Sequence, residues 1–346
     1  MSGLSLIKTN GEEILSDSVK QRADVSVVVP FFNEQSVLTE FHRRLTAVLD
    51  TLHENCEIVY VDDGSKDQSL EIVQNFPSSS SKVRCVALSR NFGKEPALSA
   101  GLKHSEGQAV IVIDADLQDP PELIPEMITK WREGYDIVNM QRSVRHGETW
   151  FKRLAATCFY KMLNSVAKLD IPENVGDFRL LSANVVNHIN ELPERNRFMK
   201  GIFSWPGFKQ ITLRFERDPR FCGETKWNYL NLLGLAIDGI TSFSIRPLRI
   251  ATIAGSLIAL GTFIYGIMIV TKTLMFGEPV SGYPSIMVVM LALGGVQLLS
   301  IGILGEYIGR IFIETKQRPL YLVESISETA AQNRRSQSTG LMWENA

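Results

Sequence analysis

Apolar positions in this chain fall into short runs separated by amphipathic stretches. Residues 25–29, 57–61, 82–88 and 109–113 are runs rich in Val and Ile, the composition of strands buried on both faces. Between them, 36–52 has helical periodicity, with Val37, Leu38, Phe41, Leu45 and Val48 along one side, and 68–75 and 96–103 read as further helices. Strands alternating with helices predict an α/β domain with a mostly parallel sheet flanked by helices. A further strand is expected at 137–140, then an amphipathic helix at 150–166 bearing Lys152, Arg153 and Lys161.

The pattern then changes. Residues 229–243 are largely apolar around Asp238 and read as a helix lying in a membrane interface. Stretches 250–271 and 279–305 contain no charged residue, and each exceeds the roughly 20 residues needed to cross a bilayer core. The alternative is a pair of buried helices in a soluble domain. Arg246 and Arg249 precede the first stretch, and Arg310, Lys316 and Arg318 follow the second, whereas the connecting hairpin carries only Lys272 and Glu278. That asymmetry puts both outer flanks in the cytoplasm. The expected organisation is an N-terminal extension (1–23), a cytosolic α/β domain (24–227), an interfacial amphipathic region (228–247), a hairpin of two transmembrane helices (248–310) and a cytosolic C-terminal segment ending in a disordered tail (311–346).

Composition narrows the function. A chain of 346 residues has room for one large domain and an appendage, and a net charge of -2 offers no basic field for nucleic acid. Cys56, Cys85, Cys158 and Cys222 form no closely spaced pair, which fits reduced thiols better than a disulfide framework or a zinc site. The first 23 residues lack the apolar core of a secretory signal, so the N-terminus is expected to stay cytosolic.

The chemistry collects where strands end. Asp114-Ala115-Asp116-Leu117-Gln118 follows the run at 109–113 directly. Two carboxylates so close repel unless a cation lies between them, and Mg²⁺ or Mn²⁺ takes oxygen ligands and shares them with phosphates. The bland alternative is an acidic, solvated turn. However, the other three strands also end in polar clusters: Asn33-Glu34, Asp62-Asp63 and Arg90-Asn91. In parallel sheets ligands bind beyond the carboxyl ends of the strands, so four converging clusters predict a site. Arg90 and Lys94 suit pairing with diphosphate oxygens, or stand as solvated loop cations. Asp62-Asp63-Gly64-Ser65 also reads as a plain turn. Lys226, beside Gly223, suits a lid over a diphosphate.

Four segments together resemble family 2 glycosyltransferases: Pro30-Phe31-Phe32-Asn33-Glu34, Asp62-Asp63-Gly64-Ser65, Arg90-Asn91-Phe92-Gly93-Lys94 and Asp114 through Glu122. The nearer branch loads a sugar onto a polyprenyl phosphate, as dolichol-phosphate mannose synthases do. Gly176-Asp177-Phe178-Arg179-Leu180, Gly223-Glu224-Thr225-Lys226-Trp227 and Gly305-Glu306-Tyr307-Ile308-Gly309-Arg310 look most like bacterial bactoprenol glucosyltransferases.

The resemblance implies a glycosyltransferase-A-type nucleotide-sugar domain. The donor would be held by Pro30, Phe32, Glu34, Asp63, Arg90, Lys94, Asp114, Ala115 and Lys226. It implies a metal, Mg²⁺ or Mn²⁺, at Asp114, Asp116 and Gln118, with Asp116 and Asp177 catalytic and the acceptor phosphate on Arg142 and Arg153. Because a phosphate acceptor is mostly dianionic at neutral pH, Asp177 is expected to orient more than to abstract a proton.

The implied reaction is inverting transfer of a hexose to undecaprenyl phosphate on the cytoplasmic face of a bacterial inner membrane. Glucose from UDP-glucose is the first expectation, with mannose or an aminoarabinose derivative as alternatives. A flippase and a downstream transferase would be functional partners, and a homo-oligomer stays open. A processive polysaccharide synthase is disfavoured, because there is no Gln-x-x-Arg-Trp motif. An inactive membrane scaffold is disfavoured because the Asp-x-Asp pair and the arginines are present.

Overall fold

The computed structural model describes residues 23–77, 81–142, 175–195, 197, 199–215, 246–276 and 282–329. The helix expected at 150–166, the interfacial stretch at 229–243, and with them Arg153 and Lys226, lie outside the described residues.

Eight strands form one sheet in the order β7-β5-β6-β4-β1-β2-β3-β8. Its centre is the parallel set β1 (Val25–Phe31), β2 (Cys56–Asp62), β3 (Lys82–Leu88) and β4 (Ala109–Val112). These strands are buried almost throughout, as their unbroken apolar runs require. Helices α1 (Leu38–Leu49), α2 (Ser69–Gln74) and α3 (Lys94–His104) make the crossovers. The chain runs outward from β1 to β3 and then returns to the other side of β1 as β4. That reversal makes the carboxyl edge between β1 and β4 the natural binding crevice.

Side chains alternate between two cores. Val25, Val27 and Val29 face a cluster with Phe41 and Leu45 of α1, Tyr60 and Phe178. Val28, Val59 and Val61 face Leu98 and Leu102 of α3, Ile202 and Phe203. Burying each such aliphatic side chain contributes about 1.5–3 kcal/mol relative to exposure.

After a short turn at Pro121–Leu123 and α4 (Ile124–Arg132), the sheet becomes mixed. Strand β5 (Ile137–Arg142) pairs antiparallel with β6 (Val175–Ser182) and parallel with β7 (Gln210–Phe215). Strand β6 also pairs antiparallel with β4, with Val112 opposite Arg179. Extending this register by two residues would put Asp114 opposite Asp177 beyond the end of β4, and both carboxylates meet Lys94. Helices α5 (Ala183–Glu191) and α6 (Met199–Ser204) cover the second core.

Two long helices follow, α7 (Arg246–Phe276) and α8 (Tyr283–Lys316). Both expose large apolar side chains, among them Leu257, Phe263, Leu274, Leu298 and Ile308. Among the described residues one stretch is long and apolar enough to cross a membrane, Leu293–Lys316; the apolar stretch Ala251–Tyr265 in α7 is shorter. The described residues thus establish one such helix where the sequence suggests two.

The C-terminal segment brings an element the sequence does not announce. Val323–Thr329 forms β8, antiparallel to β3 at the sheet edge. The buried Arg84 of β3 fastens it, donating to Glu328 at 2.7 Å and to Glu106 at 2.7 Å beside the buried Glu57.

Candidate active site

The first two strand-end loops are stitched together by side-chain-to-backbone bonds. Asn33 adopts a left-handed conformation (φ 54), which its short polar side chain tolerates. Its amide donates to Ser65 Oγ at 3.0 Å, while its side-chain oxygen accepts from the Lys66 amide at 2.8 Å. The Glu34 amide donates to Ser69 Oγ at 2.8 Å. This turn leaves Phe32 exposed at the rim and Pro30 buried at the end of β1.

Asp63 holds the third loop. Its carboxylate accepts from the Phe92 amide at 2.7 Å and the Gly93 amide at 2.9 Å. Burial pushes its carboxyl above the usual range, against those two bonds and the nearby Arg90. The resemblance gives Asp63 to the donor; in the structure its visible work is to shape residues 90–93. Gly64 (φ +69) is needed at this contact, because a Cβ there would lie 2.4 Å from the Arg90 carbonyl carbon. Arg90 is exposed, with its guanidinium 4.0 Å over the Phe92 ring.

The centre of the site is Lys94, at the start of α3. Its ammonium lies 2.7 Å from Asp114 and 2.5 Å from Asp177. Burial alone would pull this amine down, but the two carboxylates outweigh it and hold it above its ordinary range. Burial pushes Asp114 up; Lys94 opposes the shift, and Asp177 and Asp116 add to it. Two strand ends and a helix N-terminus therefore meet in one cation bridged by two carboxylates.

Beyond Asp114 the chain turns sharply. Ala115 is buried, Leu117 takes φ 60, and the Gln118 amide donates to Asp116 Oδ1 at 3.1 Å. Among the described residues no three carboxylate, imidazole or thiolate side chains converge to hold an ion unaided. Asp114, Asp116 and Gln118 offer two carboxylates and an amide oxygen, a hard donor set that fits Mg²⁺ or Mn²⁺ sharing its remaining positions with phosphate oxygens.

Arg142 ends β5 at the same edge. It approaches the buried Asp119 at 3.5 Å, and its guanidinium lies against Gly176, where a Cβ would come 2.9 Å from Nη2. Gly176 thus leaves the space through which Arg142 reaches the neighbourhood of Asp177. Arg179, two residues along β6, is buried over the Phe203 ring at 4.1 Å and donates to the Gly176 carbonyl at 2.7 Å. Burial lowers its guanidinium to about 10, against Asp177 and Glu95.

Of the expected site residues, the structure brings Lys94, Asp114 and Asp177 into contact, with Asp116, Gln118 and Arg142 on the same edge. Phe32, Glu34, Asp63 and Arg90 line the adjoining loops, and Pro30 lies buried near the end of β1. Sequence reasoning missed the contact between Lys94 and Asp177 and the room Gly176 leaves. Only the motif around Asp177 signalled either of them.

Comparison with known proteins bears on this arrangement. Residues 26–189 match the model for glycosyl transferase family 2, and residues 246–311 match the GtrB C-terminal hairpin. An uncharacterised glycosyltransferase of Synechocystis is 51% identical over 303 residues, covering 88% of this chain and 95% of that one. The chain belongs to glycosyl transferase family 2. A bactoprenol glucosyl transferase of Shigella phage SfX is 48% identical over 301 residues, covering 87% of this chain and 99% of that protein. A prophage bactoprenol glucosyl transferase homologue of Escherichia coli is 47% identical over 304 residues, covering 88% and 99%. This glycosyltransferase therefore carries a glycosyl transferase family 2 domain followed by a segment that matches the GtrB C-terminal hairpin.

Proposed function

We propose that this glycosyltransferase transfers glucose from UDP-glucose to undecaprenyl phosphate at the cytoplasmic face of a bacterial inner membrane. One observation carries the reading: Lys94, Asp114 and Asp177 meet at the carboxyl edge beside Arg142, on a chain that continues into long apolar helices. The relatives named for bactoprenol glucosyl transfer, similar along nearly their whole length, support glucosyl transfer to a polyprenyl phosphate.

In the transfer, an acceptor phosphate oxygen attacks the anomeric carbon from the face opposite the diphosphate. The bond from that carbon to the diphosphate oxygen breaks, the nucleoside diphosphate leaves with the electron pair, and the configuration inverts to a β-linked lipid-phosphate sugar. The acceptor is already dianionic at neutral pH, so no base is required. Asp177, held by Lys94, orients the sugar or acceptor, and Arg142 pairs with the acceptor phosphate through its guanidinium fork. Arg153 joins it in this reading, and Lys226 closes over the diphosphate. Asp63, Phe32, Pro30 and Glu34 bound the nucleoside. Asp114, Asp116 and Gln118 would hold a Mg²⁺ or Mn²⁺ ion, which when bound would offset the charge of the departing diphosphate.

The membrane part of the proposal has α7 and α8 both spanning, with the catalytic domain at 24–227 and both termini in the cytoplasm. A cysteine at Ser281 in a cysteine-free background is then labelled from outside the membrane and one at Ser336 is not; the reverse pattern contradicts this topology. The reaction itself is tested by offering labelled UDP-glucose, GDP-mannose and UDP-linked aminoarabinose donors with undecaprenyl phosphate to the purified enzyme. Preferential glucose incorporation supports the reading, and incorporation of another sugar alone overturns the donor assignment.

A further inference from the structure

A cavity lies where the catalytic domain meets the end of α8. It encloses about 330 Å³, within the range of small-ligand sites. Its walls include Pro96 in the first turn of α3, Arg195 in the loop after α5, Phe312, Ile313 and Lys316 from the last turns of α8, and Arg318 just beyond. None of these residues belongs to the site above. Lys94 and Pro96 are two positions apart on α3, so they face nearly opposite sides of the helix. The cavity is thus separated from the reacting centre by the first turn of α3.

Its chemistry is specific. Three cations, Arg195, Lys316 and Arg318, stand around a lining that includes the apolar Phe312 and Ile313. Phe312 is 56% exposed and Ile313 47%. Glu314, on this stretch of α8, accepts the Arg195 amide at 2.8 Å, which ties the loop to the helix. The Lys316 ammonium lies 4.1 Å over the Phe312 ring. The apolar stretch Leu293–Lys316 ends at this point, so with α8 in a bilayer the cavity sits at headgroup level. Guanidinium and ammonium groups there suit a phosphate, and the apolar wall suits the hydrocarbon attached to it.

We propose that this cavity binds the phosphate group of a membrane lipid and so seats the catalytic domain on the membrane surface. The inference rests on α8 crossing the membrane, and it stands whichever sugar is transferred. The lipid is either the polyprenyl phosphate acceptor, held apart from the reacting centre, or an anionic glycerophospholipid.

Native mass spectrometry of the full-length enzyme released from micelles tests this, with phosphatidylglycerol, phosphatidylcholine, undecaprenyl phosphate and inorganic phosphate added in turn. The wild type should retain one phosphatidylglycerol or undecaprenyl phosphate in preference to phosphatidylcholine. Arg195→Ala combined with Arg318→Ala should weaken that retention by about tenfold or more, as loss of charged hydrogen bonds implies. Arg318→Lys should keep part of it. UDP affinity, measured in the same detergent, reports that each variant is folded. Loss of undecaprenyl phosphate retention in the double variant assigns the cavity to the acceptor, and loss of phosphatidylglycerol retention assigns it to the bulk lipid. Equal retention of phosphatidylcholine, unchanged retention in the folded double variant, or full competition by inorganic phosphate overturns the proposal. Because no glycosyl transfer is measured, this result is independent of the outcome for the proposed reaction.

Discussion

The ammonium of Lys94 lies 2.5 Å from the carboxylate of Asp177, joining the start of α3 to the amino end of β6. The same ammonium touches Asp114, so it offsets two carboxylates that would otherwise repel each other. Lys94→Met keeps the chain length and removes the charge. Turnover should fall by about 10²-fold or more, the scale for losing one strong electrostatic contact in a site of this kind. Lys94→Arg should recover only part, since a planar fork cannot reproduce a point contact to both partners. Near-normal turnover in Lys94→Met would show that the bridge has no part in the reaction.

Gly176→Ala separates positioning from stability. The added Cβ would come 2.9 Å from Arg142 Nη2, the far end of a flexible side chain that can move aside. Stability should change by less than about 1 kcal/mol, as for most substitutions that meet only a mobile group. The apparent affinity for the lipid phosphate should nevertheless weaken, though by less than the roughly 1.5–3 kcal/mol expected for Arg142→Ala. Steady-state kinetics with varied acceptor, beside a denaturant unfolding curve, distinguishes this from a folding defect. An unchanged acceptor dependence would remove Arg142 from the acceptor site.

The strand-end clusters were legible because a parallel sheet sends every carboxyl end to one edge, and four apolar runs ending in Asn, Asp or Arg mark that edge. The partner of Lys94 was not legible from pattern alone. Asp177 arrives on an antiparallel strand, and its place opposite Asp114 follows from the pairing of Val112 with Arg179, which no local periodicity encodes. Asp63 reads as a ligand by type, yet its carboxylate bonds the Phe92 and Gly93 amides. Strand β8 was hidden because Val323–Thr329 is mostly exposed and polar; what holds it is its edge pairing and the long-range reach of Arg84 to Glu328.

Arg84→Ala should expose that dependence. Glu57 is 1% exposed and accepts from Ser26 Oγ at 2.5 Å and the Glu106 amide at 2.7 Å, with Arg84 at 3.8 Å. Removing the guanidinium leaves a buried carboxylate without its counter-charge, a change that costs about 3–5 kcal/mol. Denaturant unfolding should register that loss, hydrogen exchange in β8 should rise, and Glu57→Gln in the same chain should restore part of the stability. Wild-type stability in Arg84→Ala would mean that β8 is held by its backbone pairing and the Lys82–Glu328 ion pair at 2.8 Å without Arg84.

His42 gives the fold an acid sensitivity of its own. It is buried, bonds Tyr60 Oη at 3.0 Å and stacks on Phe76 at 3.9 Å, and burial lowers it from 6.5 to about 4. The unfolded chain therefore binds a proton between these values that the folded chain refuses, so stability is full above about pH 6.5 and is lost as pH falls toward 4. The loss amounts to roughly 3 kcal/mol over that interval, since each pH unit between the two values contributes about 1.4 kcal/mol. His104, also lowered by burial and by Arg84, acts in the same direction. Thermal unfolding of His42→Gln against the wild type from pH 7 to pH 4 should show a shallower decline in the variant; parallel curves would contradict the buried neutral imidazole.

In the proposed reaction, glucose moves onto a polyprenyl phosphate at the edge holding Asp114, Asp116, Lys94 and Asp177. The direct measurement is mass-spectrometric detection of glucosyl undecaprenyl phosphate formed by the purified full-length enzyme from UDP-glucose with Mg²⁺, alongside Asp116→Asn and a chelator control. The wild type should give a β-linked product, and the chelator should abolish it. Asp116→Asn should give at least about 10²-fold less, with UDP affinity in the absence of metal nearly unchanged. Undiminished product from Asp116→Asn, or no lipid-linked glucose from the folded wild type, would contradict this assignment.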